Sequence, residues 1–318
     1  MHEDQEEAVS RAKKRLSSVN SPELESELET AQAVIENEPL TLSMWHRITA
    51  LVLVVTAIAA LCALWPPAAC TRQVPPRWRL SVFAIYKNEG DVLDEWLDHY
   101  VAEGVEHFVL VDNGSADNGT VPARHASMVT RLYDPRPRVQ QWWLHSGLLH
   151  EVDAAWMLPL DLDEFAFAKD PNETLASVLA AQPCTTSRIQ LESHQFGDSG
   201  LAQQPKSVRL GFVRRAPNPD PDMPKTVVRP ERVAQFWVHR HRMRNMLIDR
   251  THWTDDLRLN HYGVMTLARW RRVQMRRGSV SATEHLDKER DEAEFARKNR
   301  NEVSDHLLAK RVRSGTLA

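Results

Sequence analysis

Apolar and polar positions change rhythm several times along the chain. Residues 1–43 carry few apolar positions in any regular order, and ELESELET (23–30) is typical of them. Such a stretch cannot bury enough apolar surface to offset chain entropy, so it predicts a disordered or loosely helical acidic tail. ITALVLVVTAIAALCALW (48–65) then runs for eighteen residues without a charge. A helix of that length reaches across a bilayer with little tilt. Trp45 and Trp65 flank it at interface positions, so 44–65 is expected to be a single membrane anchor. It starts too far from Met1 for a cleaved signal peptide. PPAACTRQVPPRW (66–78) follows, and its four prolines predict an extended stalk over 66–79.

From Leu80 the pattern alternates between two periods. LSVFAIYK (80–87) and HFVLVDN (107–113) predict strands, and NGSADNG after the second predicts a turn. Between them, Val92, Leu93, Trp96, Leu97, Tyr100 and Val101 recur at helical spacing, closed by Gly104. RVQQWWLHSGLLHEV (138–152) predicts a helix with Trp142 and Trp143 in its packed face. AWMLPLDLDEF predicts a third buried strand, TLASVLAAQ (174–182) a short helix, and SRIQL (187–191) a further strand. Strands alternating with helices define an α/β domain with a mixed, mainly parallel sheet over 80–305, followed by a short tail at 306–318. No internal repeat is visible.

Composition narrows the function. The 318 residues are 42% hydrophobic and 26% charged, ordinary for a globular protein. The net charge of -3 argues against nucleic acid as a partner, because phosphate-tracking proteins are strongly basic. Cys62, Cys70 and Cys184 permit at most one disulfide, between Cys70 and Cys184, and form no Cys-x-x-Cys metal site.

The chemistry gathers where strands end. In open α/β sheets ligands bind at the carboxyl ends of strands. Here one predicted strand ends in Lys87-Asn88-Glu89, the next in Asp112-Asn113, and the third in Asp161-Leu162-Asp163-Glu164. On a strand, Asp161 and Asp163 point to the same side. Like charges held together in a partly dry place repel unless a cation accompanies them. Hard oxygen ligands suit Mg²⁺ or Mn²⁺, whose shells are often completed by substrate phosphates. An exposed acidic turn is the plainer reading, but Phe165, Ala166 and Phe167 return to core at once.

In order and spacing these motifs resemble glycosyltransferases of the GT-A fold, in the family 92-like group related to family 2. The resemblance rests on Lys87-Asn88-Glu89, on Asp112-Asn113 with Ser115 and Asp117, and on Trp156 through Phe165. FGDSG (196–200), KTVVRPERV (225–233) with the following His239, and NHYGVMTLARWRRVQMRRG (260–278) extend it over about 80–305. The resemblance implies inverting transfer of a sugar, a hexose, from a UDP-sugar to a glycan acceptor. By that likeness Lys87, Asn88, Glu89 and Asp112 are expected at the nucleotide. Asp161 and Asp163 are expected to hold its diphosphate through the metal, with His261 as a further ligand. Lys225 and Arg229 are expected to add positive charge at the phosphates. A general base must take the acceptor's hydroxyl proton. Asp198 is the first candidate and Glu192 the second, although the family usually has Ser where Asp198 stands. That departure leaves a second reading open, a non-catalytic glycan-binding or scaffolding relative. A phosphohydrolase with Asp161 as nucleophile fits less well, since its motif belongs after the first strand. His239 is as compatible with packing as with ligation.

Family members are often type II proteins of the Golgi with a lumenal catalytic domain, and this layout matches. The flanking charges oppose it: Arg72, Arg77 and Arg79 follow the anchor while only Arg47 closely precedes it. Acceptor sequons at Asn113, Asn118 and Asn172 favour the lumen, and only Asn172 lies away from the expected nucleotide site.

Overall fold

The computed structural model describes residues 74–117, 119–137, 143–144, 147–237, 239, 241–244, 250–277 and 290–315. They belong to a compact unit, Arg72–Ala318. The expected tail and anchor, and most of the stalk and of the 138–146 segment, lie outside the described residues. Among the described residues no helix is long and apolar enough to cross a membrane.

The first half is a parallel sheet. β1 (Trp78–Tyr86) pairs on one side with β2 (His107–Asp112) and on the other with β4 (Ala154–Leu160), both parallel. β3 (Val129–Tyr133) adds to β2 and forms one border of the sheet. Alternation along β1 sends Leu80, Val82, Ala84 and Tyr86 into one core and Phe83 and Ile85 into a second. Both faces are therefore dry, which is why this strand reads as a continuous apolar run. Each of the larger aliphatic and phenylalanine side chains among them, fully buried, contributes roughly 1.5–3 kcal/mol.

The second half is mixed. β8 (Asp220–Val228) runs antiparallel to β4 and to β6 (Thr186–Gln195). β12 (Leu257–His261) lies parallel to β6 and antiparallel to β5 (Glu164–Ala168), which forms the other border. The expected third strand is thus two strands. After Leu160 the chain turns through Asp161, Leu162 and Asp163, and β5 leaves to pair with β12. Three strands, β8, β6 and β12, stand between β4 and β5 in the sheet.

Helix α1 (Gly90–Ala102) explains how β5 tolerates being a border. Val92, Leu93, Trp96, Leu97 and Tyr100 are buried, as the helical spacing predicts. The same face also buries His99, with Glu103 just beyond the last turn. These polar groups meet the outer backbone of β5. Trp96 Nε1 and Tyr100 Oη both donate to Glu164 O at 3.0 Å, and Tyr100 Oη accepts Ala166 N–H at 2.8 Å. His99 Nε2 donates to Ala166 O at 2.8 Å, and Glu103 Oε2 accepts Ala168 N–H at 3.4 Å. Side chains spaced three and four apart on one helix thus take the place of a neighbouring strand. Burial depresses His99 to about 3, which keeps it a neutral donor.

Glu103 closes this end of the molecule. It also accepts Leu175 N–H at 2.8 Å, at the start of α2 (Leu175–Ala180), and pairs at 3.2 Å with Arg311 of the C-terminal helix Leu307–Arg313. Arg311 in turn donates to Asp170 O and Glu173 O. Of the predicted 138–152 helix, the described parts are Trp143–Leu144, helical and buried, and a 3-10 turn at Leu148–Glu151 after Gly147, whose φ of 79° suits glycine.

Candidate active site

Strand register brings the polar strand ends together. Tyr86 is level with Asp112, Asp112 with Tyr133, and Ala84 with Leu160. Lys87-Asn88-Glu89, Asp112-Asn113 and the acids from Asp161 therefore leave the sheet along one side. β12 delivers His261 there too, because His261 pairs with Glu164 across β5.

The β1 and β2 ends are tied to each other. Asn88 has φ 56°, a left-handed conformation that asparagine tolerates. Its Oδ1 accepts Ala116 N–H at 2.6 Å, and its own N–H donates to Ser115 Oγ at 3.0 Å. Gly90 N–H donates to Asp117 Oδ2 at 2.8 Å. A Cβ on Gly90 would lie 2.3 Å from Gly119 Cα, so the close approach requires glycine. Glu89 is buried. Asp112 accepts Ser115 N–H at Oδ1 and Arg131 Nη2 at Oδ2, both at 2.8 Å. Burial works against its charge, but the Ser115 amide and Arg131 outweigh it and hold the carboxyl below its ordinary range. Asn113 is buried and donates to Asp134 O and Arg136 O. Arg131 and Asp134 were missed by sequence reasoning. Their signal was weak, a lone arginine and a lone aspartate around the end of a short strand.

The acids sit in a turn, and two side chains of the protein itself supply positive charge. Lys225 of β8 lies between Asp161 and Glu164, its Nζ 2.9 Å from Asp161 Oδ2 and 3.1 Å from Glu164 Oε2. Glu164 Oε2 also accepts Asp161 N–H at 2.9 Å, and Glu164 N–H donates to Asp161 O at 3.1 Å. Burial lifts the Glu164 carboxyl above its ordinary range, with Lys225 pulling the other way. Burial alone would discharge Lys225, but the flanking carboxylates raise its pKa and keep it protonated.

Asp163 is buried and faces His261, with Nε2 3.5 Å from Oδ1. Burial opposes protonation of His261, but Asp163 outweighs it and lifts the imidazole to about 9. His261 Nδ1 is buried and has no hydrogen-bond partner. A Cβ at residue 263 would lie 2.8 Å from His261 Nε2, so Gly263 leaves room for the ring. His239 belongs to the same neighbourhood. Thr226 Oγ1, next to Lys225, donates to His239 O at 3.0 Å. Burial, reinforced by Lys225, lowers His239 to about 4 and leaves it neutral.

Four expectations change. Asp161 and Asp163 do not share a strand face, since they occupy a turn and meet different cations. Lys225 is 2% exposed and held between carboxylates, so it is not the phosphate contact expected of it. Arg229 lies at the other end of the sheet. Val228 pairs with Met157, which sets Arg229 level with Trp156, five residues before Asp161 and about 16 Å away along the strand. There its guanidinium stacks 4.1 Å over Trp156 and donates to Thr186 O at 2.8 Å. Glu192 is turned away. It stands half-exposed beside His194 at 3.9 Å, where the pairing of β6 with β8 shifts register between Leu191 and Ser193.

Asp198 stays at the correct end, since Phe196 N–H donates to His261 O two residues earlier. One of its oxygens is already engaged: Oδ1 accepts Gly200 N–H at 2.9 Å and Asn301 Nδ2 at 3.0 Å. Among the described residues, the acidic group whose ligand atoms lie within metal-binding reach of one another is Asp94, Asp98 and His125. Arg124 already bridges its two carboxylates.

Taken together, the arrangement defines an α/β protein whose polar, acid-bearing residues gather at the carboxyl ends of parallel strands. In sequence the chain is similar to a set of curated plant proteins. Glycosyltransferase family 92 proteins of Oryza sativa subsp. japonica, Ricinus communis and Arabidopsis thaliana are 26%, 25% and 25% identical over 161, 170 and 169 residues. The matches cover 48% to 49% of this chain but only 27% to 29% of each relative, so the chain spans under a third of their length. No protein-family model matches the chain. Among solved structures, S. aureus TarS 1-349 in complex with UDP aligns over 74% of this chain and 70% of that one, at 15% identity and a TM-score of 0.39. HddC from Yersinia pseudotuberculosis aligns over 61% and 97%, at 8% identity and a TM-score of 0.31.

Proposed function

We propose that the chain is a glycosyltransferase of the GT-A fold that moves a hexose from a UDP-sugar to a glycan acceptor, with inversion at the anomeric carbon. The observation that carries this reading is the convergence of Asn88-Glu89, Asp112, the Asp161–Glu164 turn and His261 on one side of the sheet. The likeness in sequence to family 92 glycosyltransferases over about half of the chain supports this reading.

Asp161, Asp163 and His261, the last once it has lost its proton, would offer a divalent cation two hard carboxylates and an imidazole, a set that suits Mn²⁺ and, through its oxygens, Mg²⁺. The buried, unpartnered Nδ1 of His261 adds a polar group that the fold alone does not account for. When bound, the ion acts as a Lewis acid on the diphosphate leaving group. The rest falls to the chain. The Asn88–Gly90 and Ser115–Asp117 loops fix the rim at which the nucleoside docks, and Asp112 with Arg131 presents a rigid charged pair beside it. Asp198 takes the acceptor's hydroxyl proton as the new carbon–oxygen bond forms and the bond from the anomeric carbon to the diphosphate breaks. Its Asn301 contact orients that carboxylate.

The disulfide at Cys184 and the exposed Asn172 sequon support an oxidising, glycosylating compartment. With the expected anchor, they favour a type II membrane protein whose catalytic domain faces the Golgi lumen. The test of function is UDP-sugar hydrolysis with Mn²⁺ by wild type and Asp163→Ala. A fall of about 100-fold or more is expected from loss of a metal ligand; equal rates overturn the reading.

A further inference from the structure

Lys225 and Glu164 form a closed ring with Asp161. Asp161 N–H donates to Glu164 Oε2 at 2.9 Å, the Lys225 ammonium sits 3.1 Å from the same oxygen, and it donates to Asp161 Oδ2 at 2.9 Å. Both the backbone and the side chain of Asp161 are therefore held by one pair of residues. The two holders are 2% and 1% exposed, whereas Asp161 is 30% exposed. A lysine so deeply placed does not reach a ligand, but it fixes a carboxylate that does.

The ring has a rigid base. Glu164 O is anchored by Trp96 and Tyr100, and Glu164 itself pairs with His261 across β5. The ammonium is shared by the two carboxyl groups, and of the three side chains that of Asp161 is the one that reaches the surface. A second pair, His261 with Asp163, faces the same turn.

We propose that Lys225 and Glu164 are positioning residues, a buried ion pair that aims Asp161 at the donor's diphosphate. This rests on the reading of these strand ends as a metal-assisted UDP-sugar site. It gives Lys225 a role through Asp161 in place of direct phosphate contact, and gives Glu164 a role apart from ligation. Residues one step behind a ligand set its orientation, and their loss usually weakens binding by about 10–100-fold.

The experiment is calorimetric titration of the chain with UDP in saturating Mn²⁺, alongside the Mn²⁺ electron paramagnetic resonance signal. Wild type is compared with Lys225→Met and with Lys225→Met/Glu164→Gln. The single variant strands a buried carboxylate and can fail to fold. The double variant leaves no unpaired buried charge and keeps an amide oxygen for Asp161 N–H, so it removes only the hold on the Asp161 carboxylate. We expect the double variant to fold, to bind UDP about 10-fold or more weakly, and to show an altered Mn²⁺ signal. UDP affinity within twofold of wild type overturns the positioning role. So does a double variant that does not fold, which makes the pair a requirement of the fold. Wild type that binds no UDP with Mn²⁺ overturns the donor-site reading, and this inference with it.

Discussion

Tyr100→Phe deletes one oxygen from the centre of the protein, and the structure says what that costs. The ring is fully buried, and phenylalanine fills nearly the same space, so the packing change is small. The hydroxyl serves two partners. It donates to Glu164 O, which keeps the Trp96 Nε1 bond at 3.0 Å after the substitution. It also accepts Ala166 N–H at 2.8 Å, on the outer side of β5. An unsatisfied buried donor costs about 1–3 kcal/mol, so the variant loses about 2 kcal/mol. For a domain of this size that is a fall of about 4–8 °C in Tm. Urea unfolding and thermal melts of the two proteins measure it. A loss under about 0.5 kcal/mol means that the border amide finds another partner, and refutes the view that α1 stands in for a missing strand.

Asp305 sits between Arg215 and Arg258, each at 2.6 Å, which overcome its burial and lower its pKa from 3.8 to about 2. Because the folded value lies below the unfolded one, its stabilisation is full above about pH 4 and lost as pH falls through about 2. Asp305→Asn should therefore be less stable than wild type at pH 6, by about 2 kcal/mol from this linkage, and the gap should close in melts taken toward pH 2. Arg229→Ala should leave UDP affinity in Mn²⁺ within twofold of wild type while destabilising the fold by about 1 kcal/mol through loss of its Trp156 contact; a large affinity loss in calorimetry would return it to the donor site. Asn172 lies exposed in a turn at Asp170–Glu173. Material secreted by a eukaryotic host should shift in mobility on enzymatic deglycosylation, and Asn172→Gln should abolish the shift; unchanged mobility counts against a lumenal domain.

Much of the fold was legible because period and burial agree. β1, β2, α1 and α2 fall within a few residues of their expected bounds, since each has a dry face with regular spacing. The break between β4 and β5 was not legible. Leu162, fully buried, keeps the apolar run continuous across the turn. The strand ends of the candidate site were marked by their polar residues, and the structure brings them together. What those residues touch was hidden, because Lys225 lies 64 positions from Asp161 and pairs with it only through the sheet. What steadies three acids inside core sequence is in part something that no spacing rule could supply. Lys225 and His261, carried in on β8 and β12, are cations already built into the turn.

The helix-capped border has a consequence for how copies of this protein meet. Along β5, Glu164, Ala166 and Ala168 spend their outward backbone groups on Trp96, His99, Tyr100 and Glu103. A chain arriving edge-on finds nothing there to zip onto. At the far rim no strand among the described residues pairs with the outer side of β3, and Tyr133 stands 69% exposed. A strand added at this rim would pair with Val129–Tyr133, and a proline or lysine placed there is the substitution that would discourage it.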